Sequence, residues 1–497
     1  MAILTHHDEQ PHFVLFPFMA QGHTIPMIDI ARLLAQRGAI VTILMTPLNA
    51  IRFNSVIARA IETGLKIHVV HLYFPSIEAG LPQGCENCDM VSSPDMMKTF
   101  FIATYMLETQ VEELLQDLKP SPPNCIISDM CFPWTTKLAK RMNIPRIVFH
   151  GMCNFSLLCL HNLRDRKLLE SISSDTEYFS VPGLPDKVEV TKAQVKSMVD
   201  PSNTEWTEFA NQMEEAEDQA YGIVVNSFEE LEPEYVQGVK KAKGKKVWTI
   251  GPVSLCNKEK LDKVERGNKA SIDEHHCLKW LDSREPESVL FVCLGSLSRL
   301  PTSQMIQLAL GLESSKRPFL WVVRHISDEF RKWLNEENFE ERVEKQGILI
   351  HGWAPQVLIL SHPSIGGFLT HCGWNSIIEG ISVGVPMITW PIFAEQFCNE
   401  RLVVNVLKTG VKAGMENTVV FLEEEKAGTQ VNKDDIKMVI ERVMGEEEEA
   451  NTRRERAKNL GEMATRAVEE GGSSHVNLTK LTQDVTKQAK FGGEKSI

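Results

Sequence analysis

Between Trp353 and Gln396 the chain reads WAPQVLILSHPSIGGFLTHCGWNSIIEGISVGVPMITWPIFAEQ, a stretch without a single Lys or Arg. Gly366 to Thr370 has the length and apolarity of a short buried strand, His371 to Trp374 reads as a tight turn, and Asn375 onward reads as a helix. Strand, turn and helix in that order aim the first N–H groups of the helix at the turn. With no cationic side chain at hand, a phosphate in this segment must be held by those backbone N–H groups and the helix dipole.

The same rhythm runs through the rest of the chain. Phe13 to Phe18 is an apolar run of strand length. Thr24 is placed to cap a helix with Pro26 in its first turn and Ile28, Ala31 and Ala35 on one face. Arg37-Gly38 ends that helix, and Ala39 to Met45 is β-branched and apolar, so the order implies a parallel sheet with a right-handed crossover. Further strand-like runs fall at Ile67 to Leu72, Cys125 to Ser128, Arg146 to Phe149 and Gly222 to Asn226. Val253 to His276 lacks either periodicity and reads as linker and surface loop. The pattern then restarts at Ser288 to Cys293, Phe319 to Arg324, Ile348 to His351, Gly367 to Thr370 and Pro386 to Thr389. The expected class is α/β, with two Rossmann-like, doubly wound domains facing a cleft, residues 1–252 and 253–472. Residues 473–497 form a last helix with Leu478, Leu481 and Val485 on one side.

Length and charge narrow the function. A chain of 497 residues fits two cores of ordinary size. A net charge of −13 makes nucleic acid a poor partner, because that requires a basic face. The first residues are polar and the apolar run after them is too short for a secretory signal or a spanning helix, so a soluble, cytoplasmic protein is expected. Eleven cysteines, an odd number, point to free thiols. Cys85-Glu-Asn-Cys88 has redox or zinc spacing, but no second Cys/His pair at ligand spacing accompanies it, and it reads as structural.

His23, in Met19-Ala20-Gln21-Gly22-His23, falls between the first strand and the first helix, at the carboxyl edge where parallel sheets bind ligands. The positive end of the helix disfavours a second proton, which keeps the imidazole available as a base. Asp129 follows a later strand at the same edge, and if the two strands are neighbours its carboxylate can hold the imidazole N–H. A dinucleotide oxidoreductase would carry Gly-x-Gly-x-x-Gly after the first strand, whereas Gly22 stands alone.

Nearly position by position, the 353–396 box resembles the signature box of plant secondary-product UDP-glycosyltransferases, in glycosyltransferase family 1, with a small departure at Ile377-Ile378. The resemblance implies a GT-B fold and inverting transfer from a UDP-sugar. It implies that Trp353 stacks on uracil, that the main chain of Ala354 reads the uracil edge, and that Gln356 and Glu379 take the ribose hydroxyls. It puts Ser296, His371, the backbone of Trp374, Asn375 and Ser376 around the diphosphate, and Glu395 and Gln396 with Trp374 on the sugar. A terminal Gln goes with glucose donors in that family; UDP-glucuronic acid, UDP-galactose and pentose donors remain as alternatives. It makes His23 the general base and Asp129 its supporting acid.

The acceptor pocket is expected around Phe18, Phe132, Phe149 and Phe155, and the resemblance is nearest to the branch acting on triterpenoids, steroids, flavonoids and phytohormones. The sequence holds no Asp-x-Asp pair, so neither metal nor cofactor is expected beside the UDP-sugar co-substrate. A monomer is expected. A non-catalytic sugar-nucleotide binder is the reading from another class, and the presence of both His23 and Asp129 weighs against it. Epimerases or phosphorylases of related fold lack the box.

Overall fold

The computed structural model describes residues 10–164, 166–199, 204–420 and 422–493. The strands of the first half are β1 (His12–Phe16), β2 (Ile40–Met45), β3 (Ile67–His71), β4 (Cys125–Asp129), β5 (Arg146–His150), a small hairpin of β6 (Tyr178–Ser180) and β7 (Glu189–Thr191), β8 (Gly222–Val225) and β9 (Lys246–Thr249). The second half contributes β10 (Val289–Cys293), β11 (Phe319–Val323), β12 (Gly347–His351), β13 (Ile365–Thr370), β14 (Met387–Thr389) and β15 (Gly410–Lys412). The first sheet runs β3-β2-β1-β4-β5-β8-β9 and the second β12-β11-β10-β13-β14-β15. Every strand pair within these two sheets is parallel.

Strand order reverses once in each sheet, between β1 and β4 and between β10 and β13. At such a switch point the connections leave in opposite directions and open a crevice at the carboxyl ends of the strands. In the first sheet Phe16 pairs with Ser128, so His23 and Asp129 lie just beyond the crevice edge. In the second, Cys293 pairs with Thr370, so Ser296 and His371 occupy the corresponding place.

One face of the first sheet packs Phe13, Leu15, Ile127, Ile147 and Phe149 against Met27, Ile30 and Leu34 of helix Gln21–Gln36. The same cluster takes in Leu478, Leu481 and Val485 of the helix Ser473–Gly493, which returns from the second half. The opposite face packs Val14, Phe16 and Ile126 against Phe100, Phe132 and Trp134. A third cluster joins the halves, running from Phe155 and Tyr235 to Phe291 and Trp374.

Several local expectations change. The first helix begins at Gln21 with Ala20 as its cap residue, so His23 sits in the first turn of the helix rather than before it. Thr24 is inside the helix and its hydroxyl donates back to the Phe18 carbonyl at 2.9 Å instead of capping. Residues 253–276 are not simply surface loop. They contain a short helix, Lys260–Val264, and the nearly buried side chain of Arg266. All eleven cysteines are free, and Cys256 alone among them is not fully buried.

Because Leu481 is fully buried in the cluster of the first sheet, Leu481→Ala removes apolar contacts that fasten the last helix. The expected loss of stability is about 2–5 kcal/mol, read from urea unfolding; a variant as stable as the parent refutes that docking.

Candidate active site

At the first switch point the His23 Nδ1 lies 2.7 Å from Asp129 Oδ2. Asp129 is fully buried, and its other oxygen accepts the Cys131 backbone N–H at 3.0 Å. Nδ1 therefore carries the proton, and Nε2 is the free base of an imidazole whose side chain is 28% exposed to the cleft. Beneath the pair, the buried Arg146 donates to Ser128 Oγ at 2.8 Å, to Thr136 Oγ1 at 2.6 Å and to the Asp129 carbonyl at 3.1 Å. Burial lowers the Arg146 guanidinium to about 10.

Burial acts against the His23 imidazolium, but the Asp129 carboxylate, its hydrogen bond and the Glu395 carboxylate outweigh it and raise His23 above 6.5. This reverses the expectation that the helix start keeps a second proton off: two carboxylates act more strongly than one helix end. Burial also disfavours the Asp129 carboxylate, yet His23 and the Cys131 N–H hold it below the ordinary aspartate range.

At the second switch point, helix Trp374–Ser382 starts after Gly373 and directs its first N–H groups at the cleft. The His371 ring is wedged between two glycines: a Cβ at Gly295 would lie 2.5 Å from it, and one at Gly373 would overlap it. Burial, with Arg324 nearby, lowers His371 to about 3, so the ring is neutral. Its buried Nδ1 has no partner among the described residues, which leaves it free for a ligand. Two non-glycine residues at the box turns adopt left-handed backbone, Cys372 at φ 65 and Ala394 at φ 52.

The remaining box residues converge on the same cleft, which has about 260 Å³ of free space and is also lined by Ser296, Ala354, Asn375 and Glu395. Gln356 Nε2 donates to Glu379 Oε2 at 2.7 Å and to Ser376 Oγ at 3.1 Å. Gln396 Oε1 accepts the backbone N–H groups of Ile392 and Phe393 at 2.8 and 3.1 Å, leaving its amide nitrogen without a protein partner among the described residues. Burial raises the Glu395 carboxyl above the ordinary glutamate range. The Trp374 indole is nearly buried and donates to the Asn226 carbonyl at 2.7 Å, and the residue also lines the cleft. Asn375 Nδ2 bonds the Gly22 carbonyl beside His23 and ties the two crevices together.

Two cations missing from the box are nevertheless present. The Arg324 guanidinium lies 4.2 Å above the Trp353 ring and donates to the Gly352 and Gly295 carbonyls at 3.0 and 3.2 Å. Arg266 bonds Glu379, the residue expected to serve the ribose. Neither belongs to residues 353–396, so the cation-free box gave no sign of them. Among the described residues no group of three or more His, Cys, Asp and Glu could hold a metal ion.

Of the expected acceptor residues, Phe18 meets the His23 ring edge-on at 5.5 Å, and Phe132 lies 5.8 Å from Phe18. Phe149 and Phe155, like Phe132, are fully buried. Phe149 shares the sheet face of Ile147, the face covered by helix Gln21–Gln36, and Phe155 is fully buried against Tyr235. Strand alternation accounts for the first: one residue's shift along β5 changes sides. The aromatic cluster beside Phe18 extends to Phe101, stacked 5.3 Å from it, and from Phe101 to Phe209 and Trp206 at 4.6 and 5.3 Å. These residues sit on helices Pro94–Tyr105 and Thr204–Asp218, where sequence alone does not separate pocket wall from core.

No described helix is long and apolar enough to cross a membrane. Residues 13–418 match the family described as UDP-glucoronosyl and UDP-glucosyl transferase. The chain is 54% identical to UDP-glycosyltransferase 73C25 of Barbarea vulgaris over 99% of both chains. It is 56% identical to UDP-glycosyltransferase 73C3 of Arabidopsis thaliana over 97% of both. Among solved structures it resembles Glycyrrhiza uralensis UGT73P12, crystallised with glycyrrhetinic acid 3-O-monoglucuronide, at 36% identity and a TM-score of 0.91, covering 98% of this chain and 97% of that one. Arabidopsis thaliana UGT89C1 with UDP-L-rhamnose matches at 29% identity and 0.74, covering 96% and 100%. The two facing parallel sheets are thus a GT-B fold, and the chain belongs to the plant UDP-glycosyltransferases of glycosyltransferase family 1, enzymes that transfer sugar from a UDP-sugar.

Proposed function

We propose that this enzyme moves glucose from UDP-glucose to a hydroxyl or carboxyl group of a lipophilic small molecule such as a triterpenoid, steroid or flavonoid, with inversion to a β-glycoside. The observation that carries the proposal is the His23–Asp129 pair, 2.7 Å apart, at the crevice opposite the box. His23 Nε2 takes the proton of the acceptor O–H as its oxygen attacks the anomeric carbon. The bond from that carbon to the diphosphate breaks, and its electron pair leaves with UDP. Asp129 holds the imidazole and stabilises the imidazolium. On the other side, the N–H groups at the start of helix Trp374–Ser382 and the neutral His371 face the leaving diphosphate.

In this reading the first half, residues 1–252, supplies the acceptor side and residues 253–472 the donor side. The aromatic cluster from Phe132 through Phe18 to Phe101 and Phe209 favours a lipophilic acceptor. UGT73P12, whose complex holds a triterpenoid glucuronide, gives weight to acceptors of that class. Glucose is favoured because the cleft presents the carboxyl of Glu395 and the free amide nitrogen of Gln396 side by side, an acceptor and a donor suited to neutral sugar hydroxyls.

His23→Ala is expected to leave UDP binding near normal and to lower kcat by ~10²–10⁴-fold, more on an aliphatic alcohol than on a phenol. Because the base must be neutral and Asp129 raises its pKa, kcat/KM for the alcohol should climb with pH along a limb above 6.5. Asp129→Ala should cost less rate and move that limb to lower pH. Near-normal turnover of the alcohol by His23→Ala sinks the mechanism. Gln396→His should depress glucose transfer far more than UDP affinity, measured with UDP-glucose and by calorimetry with UDP; equal losses would show that Gln396 does not read the sugar. Turnover is expected to survive a chelator, since helix N–H groups serve the diphosphate; activity lost with chelator and restored by Mg²⁺ contradicts this.

A further inference from the structure

Residues 262–271 run as a strap beside Trp353 and Glu379, with Lys263 and Arg266 lining the cleft. One end of this strap is pinned to the first half by Asp262, which pairs with Arg32 and Arg59, and by Glu265, which pairs with Arg59. The other end is pinned to the box by Ser271: its backbone N–H donates to the Trp353 carbonyl at 2.8 Å, and its hydroxyl accepts the Trp353 N–H at 2.9 Å. Between the pins, Arg266 donates to Asp29 Oδ2 at 3.0 and 2.7 Å and to Glu379 Oε1. Its side chain is 9% exposed, and those of Asp29 and Glu379 are 2% and 5% exposed. Gly267, at φ +105, lies so close to Trp353 that a Cβ there would overlap the indole, and Asn268 Oδ1 accepts from Gln21 Nε2 at 2.8 Å.

Arg266 on Oε1 and Gln356 on Oε2 each hold one acceptor site of the Glu379 carboxylate, and the guanidinium lies on the side that lines the cleft. The free space of about 260 Å³ falls below the ~300–1,000 Å³ usual for a drug-sized ligand. We propose that Arg266 is a donor gate, whose guanidinium occupies the ribose position on Glu379 and must leave it, while staying on Asp29, before a nucleoside diphosphate can bind. The inference rests on the assignment of Trp353 and Glu379 to uridine. The pins at Asp262 and Ser271 are the fixed ends, and the left-handed Gly267 is where the strap bends. Because Arg266 competes with UDP and UDP-sugar alike, the gate weakens the binding of both.

Calorimetric titration with UDP of the full chain and three variants tests this. Arg266→Ala should bind UDP more tightly than the parent, by roughly fivefold or more, because the competitor is gone. Asn268→Ala, which loosens the strap without unpairing a buried charge, should also bind more tightly, by a smaller factor. Arg266→Ala/Glu379→Gln, where no gate remains, should bind more weakly than Arg266→Ala. Hydrogen exchange supplies a second reading: amides of residues 263–270 should exchange faster in the parent when UDP is saturating. If the double variant binds UDP as Arg266→Ala does, the uridine assignment fails and the gate with it. If the double variant binds more weakly but Arg266→Ala and Asn268→Ala bind UDP no better than the parent, the gate alone is overturned, as it is by slower exchange of those amides with UDP.

Discussion

A parallel sheet delivers every strand's carboxyl end to one edge, and where strand order reverses the edge opens into a crevice. This protein does so twice, between β1 and β4 and between β10 and β13, and the two crevices face each other. The placement of the site follows. The loop after β1 starts a helix that carries His23, the end of β4 carries Asp129, and the turn after β13 starts the helix whose N–H groups face them. The long-range pairing of β1 with β4, in register from Phe13–Cys125 to Phe16–Ser128, is what brings His23 and Asp129 together across 106 residues.

The facing of the crevices is maintained by polar contacts rather than by an apolar seam alone. Trp374 Nε1 donates to the Asn226 carbonyl across the halves, and Ser156 Oγ to Asn399 Oδ1 at 2.6 Å, with Asn399 itself fixed within the second half by its Nδ2 on the Cys372 carbonyl at 2.9 Å. Each is buried, so breaking one leaves an unsatisfied group at about 1–3 kcal/mol. The seam is thereby directional, and a slide of one half against the other would orphan several groups at once. The same low-dielectric setting separates the two histidines of the site. Burial holds His371 neutral because it has no carboxylate partner, whereas Asp129 and Glu395 overcome burial at His23.

Much of this was legible from residue order. The βα rhythm, the turn at His371–Trp374 and the positions of His23 and Asp129 depend on local pattern, and the structure brings those residues into one cleft. Illegible parts share a physical cause. β9 and β15 are only four and three residues long, too short to show a period. The sheet face of Phe149 depends on register, and the aromatic contacts of Phe101 with Phe209 join two helices, a juxtaposition that the spacing along either helix does not reveal. Arg266 and Arg324 were invisible for a different reason: they reach the box through contacts of 113 residues' separation in one case and across a ring face in the other.

Those two arginines alter how the cation-free box is understood. A helix N-terminus attracts an anion, but a fixed arginine beside the diphosphate would hold UDP after reaction as firmly as the donor before it, since both carry the charge. Here the nearby cations are committed elsewhere. Arg324 is spent on the Trp353 face and two carbonyls, and Arg266 on Asp29 and Glu379. In the proposed reading the leaving group is met by the backbone dipoles at the start of helix Trp374–Ser382, whose partial charges are preorganised and need no rearrangement during the reaction, while Arg324 and Arg266 stay on the protein's own acceptors. An enzyme built this way stabilises the charge that develops on UDP without adding a full cation that would slow its departure.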